Sequence, residues 1–232
     1  MTRGDGLDFS TLLAASVHDM KNSIGMVVHL IEEVRERVAG QEEDFGQLQF
    51  EAARLNNALI QLMTLYKLEQ SQYEAPLQET FLDEFIEDVV VMNRPFLAPH
   101  GVGIEQVADP QLAWSFDRAL VQGVISSVLS NVIRYGDGQV CATARQLRLA
   151  ADEKDGYLRL TVEDDGPGFP EALVGPLEAH RMGVDFISGS TGFGLYFALQ
   201  VARLHGEGER RGHIRLSNGG ALGGGCFELF LP

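Results

Sequence analysis

The stretch YLRLTVEDDGPG, residues 157–168, decides the fold. Leu158, Leu160 and Val162 alternate with Arg159 and Thr161, which is the period of a strand with one buried face. That strand runs into a D-x-G-x-G turn at Asp164, Gly166 and Gly168. A carboxylate fixed at a strand end can accept a hydrogen bond from an exocyclic amine such as that of adenine, and glycines let the backbone approach a ligand closely. Taken alone, the same residues also describe an acidic surface turn. A calcium loop is disfavoured because the EF-hand ligand series is absent.

Working outward, Val140–Leu149 reads as the hairpin partner of Tyr157–Val162, joined across the Asp155-Gly156 turn. Before it, Asp117 is placed to cap a helix running to Tyr135, preceded by strands near Val102–Val107 and Leu112–Phe116 and a helix over Leu82–Leu97. After it, a helix over Phe193–Leu204 leads to strands Ile214–Leu216 and Cys226–Leu231, joined by the glycine-rich loop Gly219–Gly225. Strands and helices segregate into an α+β sandwich.

Upstream of Pro76 the pattern changes. Leu13, Val17, Met20, Ile24, Val27, Ile31, Val34 and Val38 recur at heptad spacing, and so do Leu48, Ala52, Leu55, Leu59, Leu62 and Tyr66. A polar connector around Gly40–Asp44 makes these two helices an antiparallel hairpin. Each fully buried Leu or Val contributes roughly 1.5–3 kcal/mol, so two hairpins paired as a four-helix bundle, a homodimer, cover both stripes best. The expected organisation is a short tail over residues 1–10, the hairpin over 11–73 and the sandwich over 74–232.

Three further constellations could carry chemistry. His18 lies beside the hairpin stripe rather than on it, with Asp19 able to hold one ring nitrogen while the other attacks phosphorus, and Asn22 one turn further on. Asn131 and Arg134 are three apart on the helix expected to reach Tyr135, where an amide oxygen suits Mg²⁺ and a guanidinium suits phosphate. Gly189-Ser190-Thr191-Gly192-Phe193-Gly194-Leu195 opens a helix, and free N–H groups there favour anions. Phe169–Ser188, with glycines at both ends, reads as a lid. Each has a plain alternative: helix surface, a polar helix end, a tight strand-to-helix turn.

The net charge of −15 opposes binding to nucleic acid or acidic lipid, and a bound nucleotide must be met locally by Mg²⁺, backbone N–H groups and a few cations. Cys141 and Cys226 belong to no metal or disulfide pattern and read as buried strand cysteines in a reducing cytoplasm. No apolar run reaches the ~20 residues of a membrane span, so a cytoplasmic protein without direct membrane insertion is expected, with any stimulus detected by a separate sensory protein or by a very small part of this one. His29, His100, His180, His205 and His213 read as surface or loop residues, and Trp114 as core.

In order and separation, HDMKN (18–22), SNVIRY (130–135), DDGPG (164–168) and GSTGFGL (189–195) resemble the H, N, G1 and G2 boxes of two-component histidine kinases. The terminal GGGCFELFLP is similar to that family's last hairpin. The resemblance implies a dimerisation and phosphotransfer hairpin followed by an ATPase domain of the gyrase, Hsp90, kinase and MutL type. It implies His18 as nucleophile, Asp19 as its acid/base partner, and Asn22 as the residue used to dephosphorylate a response-regulator receiver domain. It further implies Asn131 as Mg²⁺ ligand, Asp164 as adenine reader, and Arg134, Tyr135, Gly166, Gly168, Thr191, Gly192, Gly194 and Leu195 around bound ATP. This sequence departs from the pattern at Ser127, where an asparagine is common, at Arg134, where a lysine is usual, in a short lid without a clear F box, and in extra residues 207–211. Two other functions share parts of the pattern: an ATP-independent phosphotransferase or receiver-docking scaffold, and a serine kinase of the anti-sigma type.

Overall fold

The computed structural model describes residues 24, 25, 27, 42–70, 72–131, 133–136, 139–142, 144–177, 192–206 and 208–232. It divides the chain into two compact units, the first ending at Glu74 and the second beginning at Ala75.

In the first unit Ile24, Gly25 and Val27 are helical, and helix α1 spans Glu42–Glu69. Glu42, Glu43 and Asp44, expected in a connector, instead form the start of α1. Ala52, Gln61, Thr64 and Leu65 are buried, and the Thr64 hydroxyl donates to the Ile60 carbonyl at 2.9 Å. Leu55 and Leu62 of the heptad stripe remain 52% and 39% exposed in the single chain.

The second unit runs β1 (Gln78–Phe81), α2 (Leu82–Leu97), β2 (Gly103–Ala108), β3 (Ala113–Phe116), α3 (Arg118–Ser130), β4 (Ile133–Gly136), β5 (Gln139–Ala142), β6 (Gln146–Lys154), β7 (Tyr157–Asp164), β8 (Gly175–Pro176), α4 (Gly192–Leu204), β9 (His213–Asn218) and β10 (Gly225–Leu231). The main sheet has the order β2-β6-β7-β10-β9-β8, parallel between β2 and β6 and antiparallel elsewhere. Smaller antiparallel pairs join β1 to β3 and β4 to β5.

Strand periodicity creates the core. Leu147 and Leu149 on β6, Leu158, Leu160 and Val162 on β7, and Phe227, Leu229 and Leu231 on β10 are buried on one face. Helices α2, α3 and α4 pack over the sheet, α2 through Leu82, Phe85, Ile86, Val89 and Val90 at helical spacing. One buried polar link ties α2 to α3: Asn93 Nδ2 donates to the Val89 carbonyl at 2.7 Å and to Ser126 Oγ at 2.9 Å. The opposite sheet face carries a ladder of ion pairs, Arg148 with Glu163 and Arg159 with Asp152 and Glu228. Asp152, hydrogen-bonded to Arg159, holds that guanidinium well above its ordinary pKa.

Several boundaries depart from expectation. Asp117 does cap α3, accepting from the Leu120 N–H at 3.0 Å, but the helix stops at Ser130 rather than Tyr135. Asn131 is the C-cap, and the β-branched and aromatic run that follows pairs as β4 against β5, Ile133 opposite Ala142. The single strand expected over Val140–Leu149 is two, because the N–H groups of Arg145 and Gln146 turn toward the Asp165 carboxylate and β6 begins there. The start of the expected lid is sheet edge: β8 pairs with β9, and buried Leu177 donates its N–H to the Ile214 carbonyl. His205, expected at the surface, is buried. Its Nδ1 donates to the Val201 carbonyl at 2.7 Å, so neutral Nε2 accepts the Asp117 N–H at 2.9 Å and fastens α4 to the α3 cap. Burial lowers its pKa, opposed by the Val201 hydrogen bond and the Asp117 charge.

Candidate functional site

Strand alternation sends Glu163, Asp164 and Asp165 in different directions. Asp164 pairs in register with Leu147, on the helix-covered face, whereas Glu163 pairs with Arg148 on the opposite face. Asp164 Oδ1 accepts the Gly166 N–H at 2.7 Å and the Gly225 N–H at 3.1 Å, and its carbonyl accepts the Gly224 N–H at 3.0 Å. Among the described residues no hydrogen bond reaches Oδ2. A Cβ at Gly225 would stand 2.8 Å from Oδ2 and 3.1 Å from the Phe169 ring, so glycine there leaves the free oxygen uncovered. The result is a carboxylate fixed by one oxygen and open at the other, which suits reading a donor on a planar base.

The turn after Asp164 is fastened from two sides. Asp165 Oδ1 accepts the Arg145 and Gln146 N–H groups at 2.6 and 2.9 Å, and these bonds, Gln146 foremost, hold its carboxyl below the usual range. Asn218 grips Phe169 with both ends of its amide, accepting the Phe169 N–H at 2.7 Å and donating to its carbonyl at 2.9 Å. Gly168 has φ +80 and its Cα faces Asn218, where a Cβ would lie 2.6 Å from Oδ1, so both dihedral and space require glycine. Sequence reading did not single out Asn218. It lies 49 residues from Phe169, and an asparagine at a strand end carries no local sign of this partner.

The other predicted residues are placed unevenly. Asn131, half-buried, ends α3, which packs on β7, the strand bearing Asp164. Gly192, Gly194 and Leu195 open α4, and α4 packs on α3. Gly194 is where they touch: a Cβ there would meet Ser127 Oγ at 2.7 Å, so a small side chain at 127 and none at 194 permit the approach. Helix α3 thereby adjoins β7 and, at Ser127, the start of α4. Arg134 and Tyr135 lie in β4, Arg134 opposite Cys141, so the helical face expected to join Asn131 and Arg134 does not exist. His18, Asp19, Asn22 and Thr191, and residues 178–188 of the expected lid, lie outside the described residues. Buried Cys226 is pushed up in pKa by desolvation. Among the described residues no cluster of three His, Cys, Asp or Glu could hold a metal, and no helix is long and apolar enough to cross a membrane.

A mixed sheet with helices on one face, and a half-engaged aspartate where a strand meets a glycine turn, is the architecture of an ATPase of the GHKL class. Residues 116–232, just over half the chain, match the model of the histidine kinase-, DNA gyrase B- and HSP90-like ATPase family, and the chain belongs to that family. Sensor histidine kinase component HK1 of Mycobacterium tuberculosis is 31% identical over 136 residues, 58% of this chain and 74% of the relative. A probable sensor histidine kinase HK of Mycobacterium tuberculosis is 27% identical over 183 residues, 78% of this chain but 44% of the relative's length. In fold, full-length ShkA aligns over 95% of this chain and 45% of its own at a TM-score of 0.63 and 18% identity. The histidine kinase AdeS of Acinetobacter baumannii aligns over 92% and 96% at a TM-score of 0.57 and 18% identity. The ATPase domain is thus homologous to the catalytic domains of sensor histidine kinases.

Proposed function

We propose that this chain is the kinase core of a two-component system, which phosphorylates His18 from Mg²⁺-ATP and passes the phosphoryl group to a response-regulator aspartate. The observation that carries the reading is Asp164, pinned through Oδ1 with Oδ2 open, in a domain of the ATPase family. Asp164 Oδ2 takes the adenine amine, and Gly166 and Gly168 let the backbone close on the base. The amide oxygen of Asn131 ligates Mg²⁺, which neutralises charge on the phosphates when bound. Gly192, Gly194 and Leu195 begin α4, whose N-terminus favours phosphate, and Thr191, Arg134 and Tyr135 are the further ATP contacts that the resemblance implies. At His18 one imidazole nitrogen forms a bond to the γ-phosphorus as the bond to the β,γ-bridging oxygen breaks and ADP leaves. The proton on the other nitrogen passes to Asp19. Residues 11–73 form the phosphotransfer hairpin. Its pairing into a homodimer is supported by Leu55, Ile60 and Leu62, which one chain leaves substantially exposed. Asn22 supports dephosphorylation of the regulator.

The test is incubation with γ-labelled ATP and Mg²⁺ beside His18→Gln and Asn131→Ala. Acid-labile, alkali-stable label that disappears in both variants is the expected result. A folded protein that binds no ATP and takes no label would instead establish an ATP-independent phosphotransferase or scaffold. That second reading draws on one observation, the separation of Asn131 from Arg134 by the end of α3. Acid-stable label on serine of a partner would mark an anti-sigma type of kinase.

A further inference from the structure

We propose that Glu163, on the sheet face away from Asp164, is a positioning residue that sets the place of the Asp164 carboxylate through the loop Gly219–Gly225. The inference rests on the reading of Asp164 as the adenine contact. Glu163 is 7% exposed and spends both carboxylate oxygens: Oε2 accepts from Arg148 Nη1 at 2.9 Å, and Oε1 accepts the Ala221 N–H at 3.0 Å. Gly220 clears the way, since a Cβ there would stand 2.3 Å from Oε1. The loop that Glu163 holds at Ala221 is the loop that returns to Asp164 from Gly224 and Gly225, at 3.0 and 3.1 Å. Adjacent residues of one strand therefore grip one loop from opposite faces of the sheet. Arg148, itself 3.6 Å from Glu105, fixes the rotamer of Glu163 from the neighbouring strands. With Glu163 removed, Ala221 loses its acceptor and the loop can lift away from β7, carrying the Gly225 N–H off Oδ1. Asp164 then has no reason to keep Oδ2 directed at the base.

The experiment measures equilibrium affinity of the full chain for ADP and for IDP, which carries an oxo group in place of the adenine amine. Wild type should prefer ADP. Glu163→Val, a strand former without an acceptor, should weaken ADP by about tenfold, a 1.4 kcal/mol loss, and collapse the ADP-to-IDP ratio toward one. Glu163→Gln keeps an oxygen for Ala221 and should restore most of the ratio, which general destabilisation would not do. Should Glu163→Val fail to fold, Glu163→Val with Arg148→Met replaces the ion pair by an apolar pair, an exchange that folded proteins commonly tolerate, and the ratio should still collapse. A folded Glu163→Val or double variant with the wild-type ratio overturns the proposal. If wild type itself does not separate ADP from IDP, the adenine role of Asp164 fails, and this inference falls with it.

Discussion

Substituting Gly224 by alanine provides a sharp test of how the Asp164 site is built. A Cβ at 224 would lie 2.5 Å from the Asp164 carbonyl oxygen, 2.6 Å from its Oδ1 and 2.6 Å from the Gly166 nitrogen. Two of these are main-chain atoms, and the third belongs to the carboxylate being positioned, so no bystander side chain can swing aside. Real Cβ contacts essentially never fall below 3.0 Å, and the loop must retreat by about half an ångström or more, breaking the bonds from Gly224 and Gly225 to Asp164. One is a neutral bond and one goes to an ionised acceptor, together about 2–4 kcal/mol. The control is Gly223→Ala: φ is +86 but nothing lies within 4 Å, so only left-handed strain of about 1–2 kcal/mol is added. Trp114 is the single tryptophan and its Nε1 donates to the Pro232 carbonyl within the ATPase unit, so its fluorescence follows unfolding of that unit in urea. Both variants should be less stable, Gly224→Ala the more so. Only Gly224→Ala should lose ADP affinity, by about tenfold or more. Equal effects on ADP binding, or a Gly224→Ala protein as stable as wild type, would refute this account of the loop.

Three other outcomes follow from the same geometry. Because His205 is held neutral with a lowered pKa, the folded unit binds fewer protons than the unfolded chain below pH about 6.5. Its stability should be full above that pH and decline as pH falls through the lowered value; urea midpoints at pH 7 and 5.5 should differ more in wild type than in His205→Leu. Asn218→Ala removes two bonds to the Phe169 backbone and should cost about 1–3 kcal/mol in the same urea assay, with weaker ADP binding; Asn218→Asp, which keeps the acceptor but sets a carboxylate against the Phe169 carbonyl, should not restore it. Asn22→Ala should leave His18 phosphorylation intact while slowing dephosphorylation of a phosphorylated receiver domain, and an unchanged rate would remove Asn22 from that role.

What could be read in advance was local. The spacing of Leu82, Phe85, Ile86, Val89 and Val90 places α2 over the residues where it is found, Asp117 caps α3 as its side chain suggests, and Asp155-Gly156 turns β6 into β7 with φ of 54 and 74, the left-handed pair a tight hairpin requires. What could not be read depends on partners far along the chain. The end of α3 is decided by competition with the β4–β5 pairing, the start of β6 by Asp165, and the burial of His205 by a main-chain N–H that lies 88 residues away. The acids at 163–165 show the difference most clearly. In one dimension they are a run of like charge, and an acidic surface turn is the natural description. In the fold the strand pleat turns Glu163 and Asp164 to opposite faces, and each of the three acids accepts N–H groups from a different place: Glu163 from Ala221, Asp164 from Gly166 and Gly225, Asp165 from Arg145 and Gln146. Two of the three are thereby committed to holding the loops around the third. Their charges are offset by backbone dipoles and by Arg148, which leaves the open oxygen of Asp164 as the part of the run free to meet a ligand.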